Sequence, residues 1–207
     1  MAIEAVVFDI GQVLIEWNPP RFYDSVIGED RRRRLFAEVD LHGMNEGVDL
    51  GADLSDSVEA LAAQHPGWAD EIRMWRDRWI EMASPEIPHS VRLLRRLRAR
   101  GVPVFALTNF GTATFGIAER HYPFLAEFED RFVSAELGVM KPDPAIYEIV
   151  ETGTGRPAGT LFFTDDKPEN IAAAAARGWQ THLFEGPEGL AARLVAEGLL
   201  REEEAVA

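Results

Sequence analysis

Three short apolar runs, each ending abruptly in polar residues, constrain this chain more than any other feature. They are "AVVFD" at residues 5–9, "VPVFALTN" at 102–109 and "GTLFFTDD" at 159–166. Strands buried on both faces read as continuous apolar stretches, and they belong to parallel sheets covered by helices. Parallel neighbours need a crossover, and the segments between the runs supply helices. "SVRLLRRLRAR" puts Val91, Leu94 and Leu97 on one face before Gly101, "DPAIYEIVETG" opens with Asp143 and Pro144 as cap and first turn, and "PENIAAAAARG" stops at Gly178. Further strands are expected near residues 131–134 and in "WQTHLF", with a last helix in "GPEGLAARLVAEGLL". The expected fold is α/β, a three-layer Rossmann-like parallel sheet.

Between the first run and the rest the texture changes. Residues 20–87 read as helical material with breaks, with helices over 21–27, 30–40, 53–64 and 68–83, and "SPEIPH" as the return linker. This segment reads as an insertion, giving a core of residues 1–14 and 88–207 and a helical unit of 15–87. Trp68, Trp75 and Trp79 fall on one helical face and either pack the insertion or turn a ring toward a ligand cleft.

Composition removes several classes of function. With 35 acidic and 21 basic residues the formal charge is -14, a field that repels nucleic acid and anionic membranes. The run Arg31 to Arg34 reads as a solvated helix surface. Cysteine is absent, which removes disulfides and thiolate chemistry, and the five histidines show no metal-ligand spacing. No signal segment or membrane span is evident, so a cytoplasmic protein is expected. It is expected to be a monomer or a homodimer.

In an open parallel sheet the polar site lies beyond the carboxyl ends of the strands. Asp9, Thr108, Asn109, Asp165 and Asp166 would therefore share one rim, although each alone is an ordinary cap or turn residue. Adjacent acids beside a third concentrate negative charge unless a cation relieves it, and oxygen-only donors suit Mg2+. Lys141 in "GVMKPDP" is one of only two lysines and would serve as a local cation; the alternative is a surface loop lysine.

In order and spacing, "VVFDIGQVL", "FALTN", "VMKPDPAIY" and "LFFTDDKPENIAAAAARG" resemble the four motifs of the haloacid dehalogenase superfamily of hydrolases. The resemblance spans the chain, makes 15–87 its small helical cap, and is nearest to bacterial phosphatases of sugar phosphates and other metabolites that open with Asp-x-Gly. It implies a small phosphorylated substrate, Mg2+, and an aspartyl-phosphate formed on Asp9. Thr108, with Asn109 and the backbone beyond, would hold phosphoryl oxygens; Lys141 would stabilise charge. Asp9, the Gly11 carbonyl, Asp165 and Asp166 would hold the metal, with Asp165 the favoured direct ligand. Trp17, Arg21, His42, Asn45 and Glu46 are the cap-side candidates for substrate binding.

The departure is Gly11, where the family's phosphatases usually carry an acid that protonates the leaving alcohol. Such help is worth about 10²–10⁴-fold. Three readings follow: a phosphatase whose proton comes from water or a cap residue such as Glu46, a 2-haloacid dehalogenase, or an impaired binding homologue. The charged "TDD" pair favours a cation and hence phosphate.

Overall fold

The computed structural model describes residues 2–206. Strand β1 (Ala5–Phe8) leads into helices α1 (Pro19–Ile27), α2 (Glu29–Glu38), α3 (Leu41–Asp49), α4 (Leu54–Gln64), α5 (Ala69–Asp77) and α6 (Trp79–Met82). The α/β part resumes with α7 (Pro88–Ala99), β2 (Val104–Thr108), α8 (Thr112–His121), β3 (Asp130–Val133), α9 (Ser134–Leu137) and α10 (Pro144–Thr154). It ends with β4 (Leu161–Asp165), α11 (Pro168–Ala176), β5 (Gln180–Leu183), α12 (Pro187–Ala196) and α13 (Glu202–Ala205).

The five strands form one parallel sheet in the order β3-β2-β1-β4-β5. Side chains alternate across each strand, so one run feeds two cores. Val6, Phe8, Val104, Ala106 and Phe162 pack on one face; Ala5, Val7, Phe105, Leu107, Leu161 and Phe163 pack on the other. This two-sided burial is the reason the strands read as uninterrupted apolar runs. The chain leaves β1 to build outward on both sides, so β1 sits at the switch point, and Phe8 pairs with Ala106 and Thr164. The Asp9 N–H then donates to the Thr164 carbonyl at 2.9 Å, which fixes Asp9 just beyond the ladder.

The insertion joins the core through two adjacent connectors. Ile15 bridges to Glu86, the Glu16 N–H donates to the Pro85 carbonyl at 2.9 Å, and the Ile87 N–H donates to the Leu14 carbonyl at 2.8 Å. Two expectations for this segment need correction. The single helix over 68–83 is a 3-10 turn, Pro66–Trp68, followed by α5 and α6, with Arg78 in a non-helical conformation between them. The break separates the tryptophans: Trp75 stays inside the insertion, while Trp79 turns to the core and packs on Phe110, ring centres 5.5 Å apart.

The second correction is α3, where no helix is expected from the pattern. Gly43 and Gly47 each cost a helix about 1 kcal/mol, enough to hide it in a propensity reading. It forms because Asp40 caps it, Oδ1 accepting from the Gly43 N–H at 2.8 Å, and because Leu41 and Val48 are buried. Its C-terminal end presses on the core at Gly111. A Cβ there would lie 2.4 Å from Val48 Cγ1 and 3.2 Å from the Val48 carbonyl oxygen. The Ser134 hydroxyl completes the seam, donating to the Asp49 carbonyl at 2.6 Å and accepting from the Phe110 N–H at 3.0 Å.

Gly111→Ala is therefore expected to destabilise the protein by about 1–3 kcal/mol through overpacking, read as a lower denaturant midpoint in equilibrium unfolding. An unchanged midpoint contradicts the tight seam.

Candidate active site

Three strand tips deliver the polar residues to one place. Asp9 follows β1, Thr108 ends β2 and Asp165 ends β4, all buried. One carboxylate oxygen from each of Asp9, Asp165 and Asp166 lies within 4.8 Å of the others. A cavity of about 440 Å³ opens above them, and its lining includes Asp9, Gly11, Thr108, Asn109, Lys141 and Asp166.

Lys141 holds the group together. Its ammonium has three protons and three acceptors: Asp9 Oδ1 at 2.8 Å, Asp165 Oδ2 at 2.7 Å and the Leu107 carbonyl at 2.9 Å. Burial alone would discharge the lysine, but Asp9 and Asp165 outweigh it and hold its pKa above the ordinary value. Asn109 fixes the loop that carries it. The Asn109 amide donates to the Lys141 carbonyl at 2.9 Å and accepts from the Lys141 N–H at 2.9 Å, so both ends of the side chain are committed to backbone. Asn109 is in this respect a positioning residue, not a phosphate contact through its side chain.

The three acids differ sharply in what remains free. Asp165 is saturated: Oδ1 accepts from the Lys167 N–H at 2.8 Å and Asn170 Nδ2 at 2.9 Å, and Oδ2 from Lys141 and Asn170. Asp9 Oδ1 takes Lys141 and the Ile10 N–H at 2.7 Å, leaving Oδ2 with no partner among the described residues. Burial pushes the Asp9 carboxyl up to about 7, opposed by Lys141 and reinforced by Asp165. Asp166 is only half-buried, faces the cavity and has no side-chain partner among the described residues; burial and the neighbouring Asp165 raise its pKa. A set of hard oxygen donors with two members open and no soft ligand fits a small divalent cation.

Helix α3 forms part of the opposite wall. His42, Asn45, Glu46 and Asp49, spaced by three, four and seven residues, all reach the cavity, and Trp17 and Trp79 add an aromatic surface. The Trp17 and Trp79 rings lie 5.7 Å apart. Of the cap-side candidates, Trp17, His42, Asn45 and Glu46 line the cavity; Arg21 does not. The Arg21 guanidinium is spent on Glu16 and the Ser84 carbonyl, where it ties the two connectors together. The arginine run is likewise paired outside the cavity: Arg31 with Glu71, Arg32 with Asp24 at 2.8 Å, Arg33 with Glu29, and Arg34 with Glu38 at 3.6 Å.

Asp49 is absent from the sequence-derived candidates, although continuing the stripe one turn from Asn45 and Glu46 reaches it. Gly11 lines the cavity as expected, and open space surrounds the place where its Cβ would be.

A parallel sheet with acids on its central tips, a buried lysine bridging two of them and a helical insertion over the rim defines a Rossmann-like protein with a capped carboxylate centre. The model of the haloacid dehalogenase-like hydrolases matches residues 3–178, and the chain belongs to that family. A sesquiterpene phosphatase of Aspergillus oryzae is 30% identical over 176 residues, covering 84% of this chain and 86% of its own. A haloacid dehalogenase family enzyme of Bacteroides thetaiotaomicron, solved with magnesium and inorganic phosphate, shares the fold at a TM-score of 0.70 and 19% identity, over 87% of this chain and 93% of that one. An L-2-haloacid dehalogenase shares it at 0.62 and 18%, over 87% and 83%. These two likenesses show the fold. Among the described residues, no helix is long and apolar enough to cross a membrane.

Lys141→Met is expected to cost about 3–5 kcal/mol, because it strands two buried carboxylates, and chemical unfolding measures the loss. A stability within 1 kcal/mol of the parent, taken as about the worth of a surface pair, would remove Lys141 as the organising charge.

Proposed function

We propose that the protein is a magnesium-dependent phosphomonoester hydrolase acting on a small phosphorylated organic compound. The observation that carries this reading is the three-carboxylate cluster, whose open members have no use in halide displacement but suit a cation shared with a phosphoryl group. The resemblance to a sesquiterpene phosphatase supports the same class. The Trp17 and Trp79 surface favours an organic portion with apolar area. Residues 1–14 and 88–207 then act as the catalytic core, and 15–87 as the cap that chooses the substrate.

In this reading the Asp9 carboxylate attacks phosphorus in line, the bond from phosphorus to the organic oxygen breaks, and the phosphoryl group is carried on Asp9 until water releases it. Lys141 keeps Asp9 oriented through Oδ1 and stabilises its charge. The Thr108 hydroxyl, which donates to no described residue, is available to a phosphoryl oxygen. Magnesium, when bound, supplies charge neutralisation at the transferring phosphoryl group. Asp9, the Gly11 carbonyl and Asp166 would hold it. We assign the direct bond to Asp166 rather than Asp165, whose oxygens are already occupied by Lys141, Asn170 and the Lys167 N–H. Asp165 is then the group that positions Lys141.

Neither Arg21 nor Arg31 to Arg34 reaches the cavity, so none of them is placed to clamp the carboxylate or halide of a 2-haloacid. Phosphate release from a panel of phosphomonoesters, with magnesium and with chelator, tests the choice. Release that requires magnesium and falls more than about 10³-fold in Asp9→Asn is expected. Chelator-resistant halide release from 2-haloacids would overturn it. Asp166→Asn is expected to raise the magnesium concentration for half-maximal rate by about 10–100-fold, on the scale of lost metal-site contacts. An unchanged magnesium dependence would return the direct bond to Asp165.

A further inference from the structure

The core lacks a proton donor where the leaving oxygen departs, because Gly11 has no side chain. Of the acids lining the cavity besides Asp9 and Asp166, Glu16 is paired with Arg21 and Glu169 is exposed on α11, and the remaining two stand on the opposite wall. Two acids of α3 face the cavity there, Glu46 and Asp49, and they are held very differently. Glu46 is exposed and its carboxylate has no partner among the described residues.

Asp49 is held at its backbone carbonyl and its carboxylate. Its carbonyl accepts from the Ser134 hydroxyl at 2.6 Å. Its Oδ2 accepts from Asn45 Nδ2 at 2.9 Å, and Asn45 Oδ1 in turn accepts from the indole N–H of the fully buried Trp75 at 3.0 Å. This chain fixes the amide orientation of Asn45, so a nitrogen faces Asp49. The Gly111 N–H faces the same carboxylate, at the loop directly following Thr108 and Asn109. The absence of a side chain at Gly111 is what lets this end of α3 approach so closely.

We propose that Asp49, a residue of the insertion, is the general acid and base of the reaction and stands in for the acid missing at Gly11. The inference rests on the phosphatase reading and names a residue that the reading leaves open. In the first step the Asp9 oxygen bonds to phosphorus and the bond to the organic oxygen breaks. The electron pair stays on that oxygen, which takes the Asp49 proton directly or through one water. In the second step a water oxygen bonds to phosphorus as the bond from phosphorus to the Asp9 oxygen breaks, the water's proton goes to the Asp49 carboxylate, and phosphate leaves with both aspartates restored.

Asp49 lines the same cavity as Asp9, and its environment suits the role. Burial pushes the Asp49 carboxyl up to about 7, opposed by the Gly111 N–H and by Lys167 from the loop before α11, and reinforced by Glu46. On the neighbouring helices Asp53, Asp56, Glu59 and Glu136 are exposed. An acid of that strength is protonated for the first step below neutrality and can accept a proton in the second.

The test compares an alkyl phosphate, whose alkoxide must be protonated, with p-nitrophenyl phosphate, whose nitrophenolate leaves without help. In Asp49→Asn the alkyl ester is expected to lose about 100-fold or more in kcat/KM, while the nitrophenyl ester changes by less than about tenfold. For the wild type, kcat/KM on the alkyl ester is expected to fall as pH rises above about 7, where Asp49 has lost its proton; the variant loses this limb. Restoring an acid in the core, as Gly11→Asp in the Asp49→Asn background, is expected to recover at least about tenfold on the alkyl ester, and the space around Gly11 admits it.

Equal losses on both esters mark a merely structural role and overturn the proposal, as does no loss on either. If Asp49→Asn does not fold, the wild-type profiles decide: a fall above pH 7 for the alkyl ester but not the nitrophenyl ester supports Asp49, and two identical profiles reject it. A wild type that releases phosphate from neither ester defeats the phosphatase reading itself, and this inference with it.

Discussion

The Lys141 ammonium is the constraint on which the rest of the site depends. It is buried, and its three protons are divided among one carbonyl and two carboxylates from three different strand tips. A buried charge of this kind is tolerable only when every partner is in place, so the sheet, the Asn109 clamp and the Asp165 carboxylate must all be assembled for the lysine to remain charged. Conversely the lysine makes it possible to set Asp9 and Asp165 side by side at the centre of a parallel sheet. It orients Asp9 through one oxygen and leaves the other uncommitted. The arrangement converts a structural necessity into an oriented carboxylate with one free oxygen.

The second constraint is the seam between insertion and core. Gly111 and Ser134 bring the end of α3 down to the loop after β2, while the paired connectors and Arg21 fix its root. The cap thus contributes a wall of stated composition, polar along α3 and aromatic at Trp17 and Trp79, to a cavity whose floor is made by the core. Floor and wall come from segments far apart in sequence. In the proposed reaction an acid seated on α3 ties proton transfer to the position of the cap, so both halves of the molecule must be in register for turnover.

Much of the floor was legible in the sequence. Strands buried on both faces leave apolar runs, their polar tips mark the rim, and the scarcity of lysine singles out Lys141. Other features were not legible because they depend on contacts between distant segments. The two glycines of α3 suppress its helical signal, and its stability comes from the Asp40 cap and from packing against Gly111. Arg21 is a substrate-binding candidate in the sequence, but the return of the chain at Ser84 claims it. Asp165 and Asp166 are neighbours with the same side chain. Only the positions of Asn170 and Lys141 separate the saturated acid from the open one.

The central claim is that Asp9 carries the transferred group. Its most direct test is mass spectrometry of the protein quenched in acid during turnover of a phosphomonoester with magnesium, followed by digestion. The account predicts a phosphoryl group on the peptide containing Asp9, lost when quenching is delayed until substrate is exhausted. Phosphate release at full rate with that peptide unmodified at every quench time would contradict it.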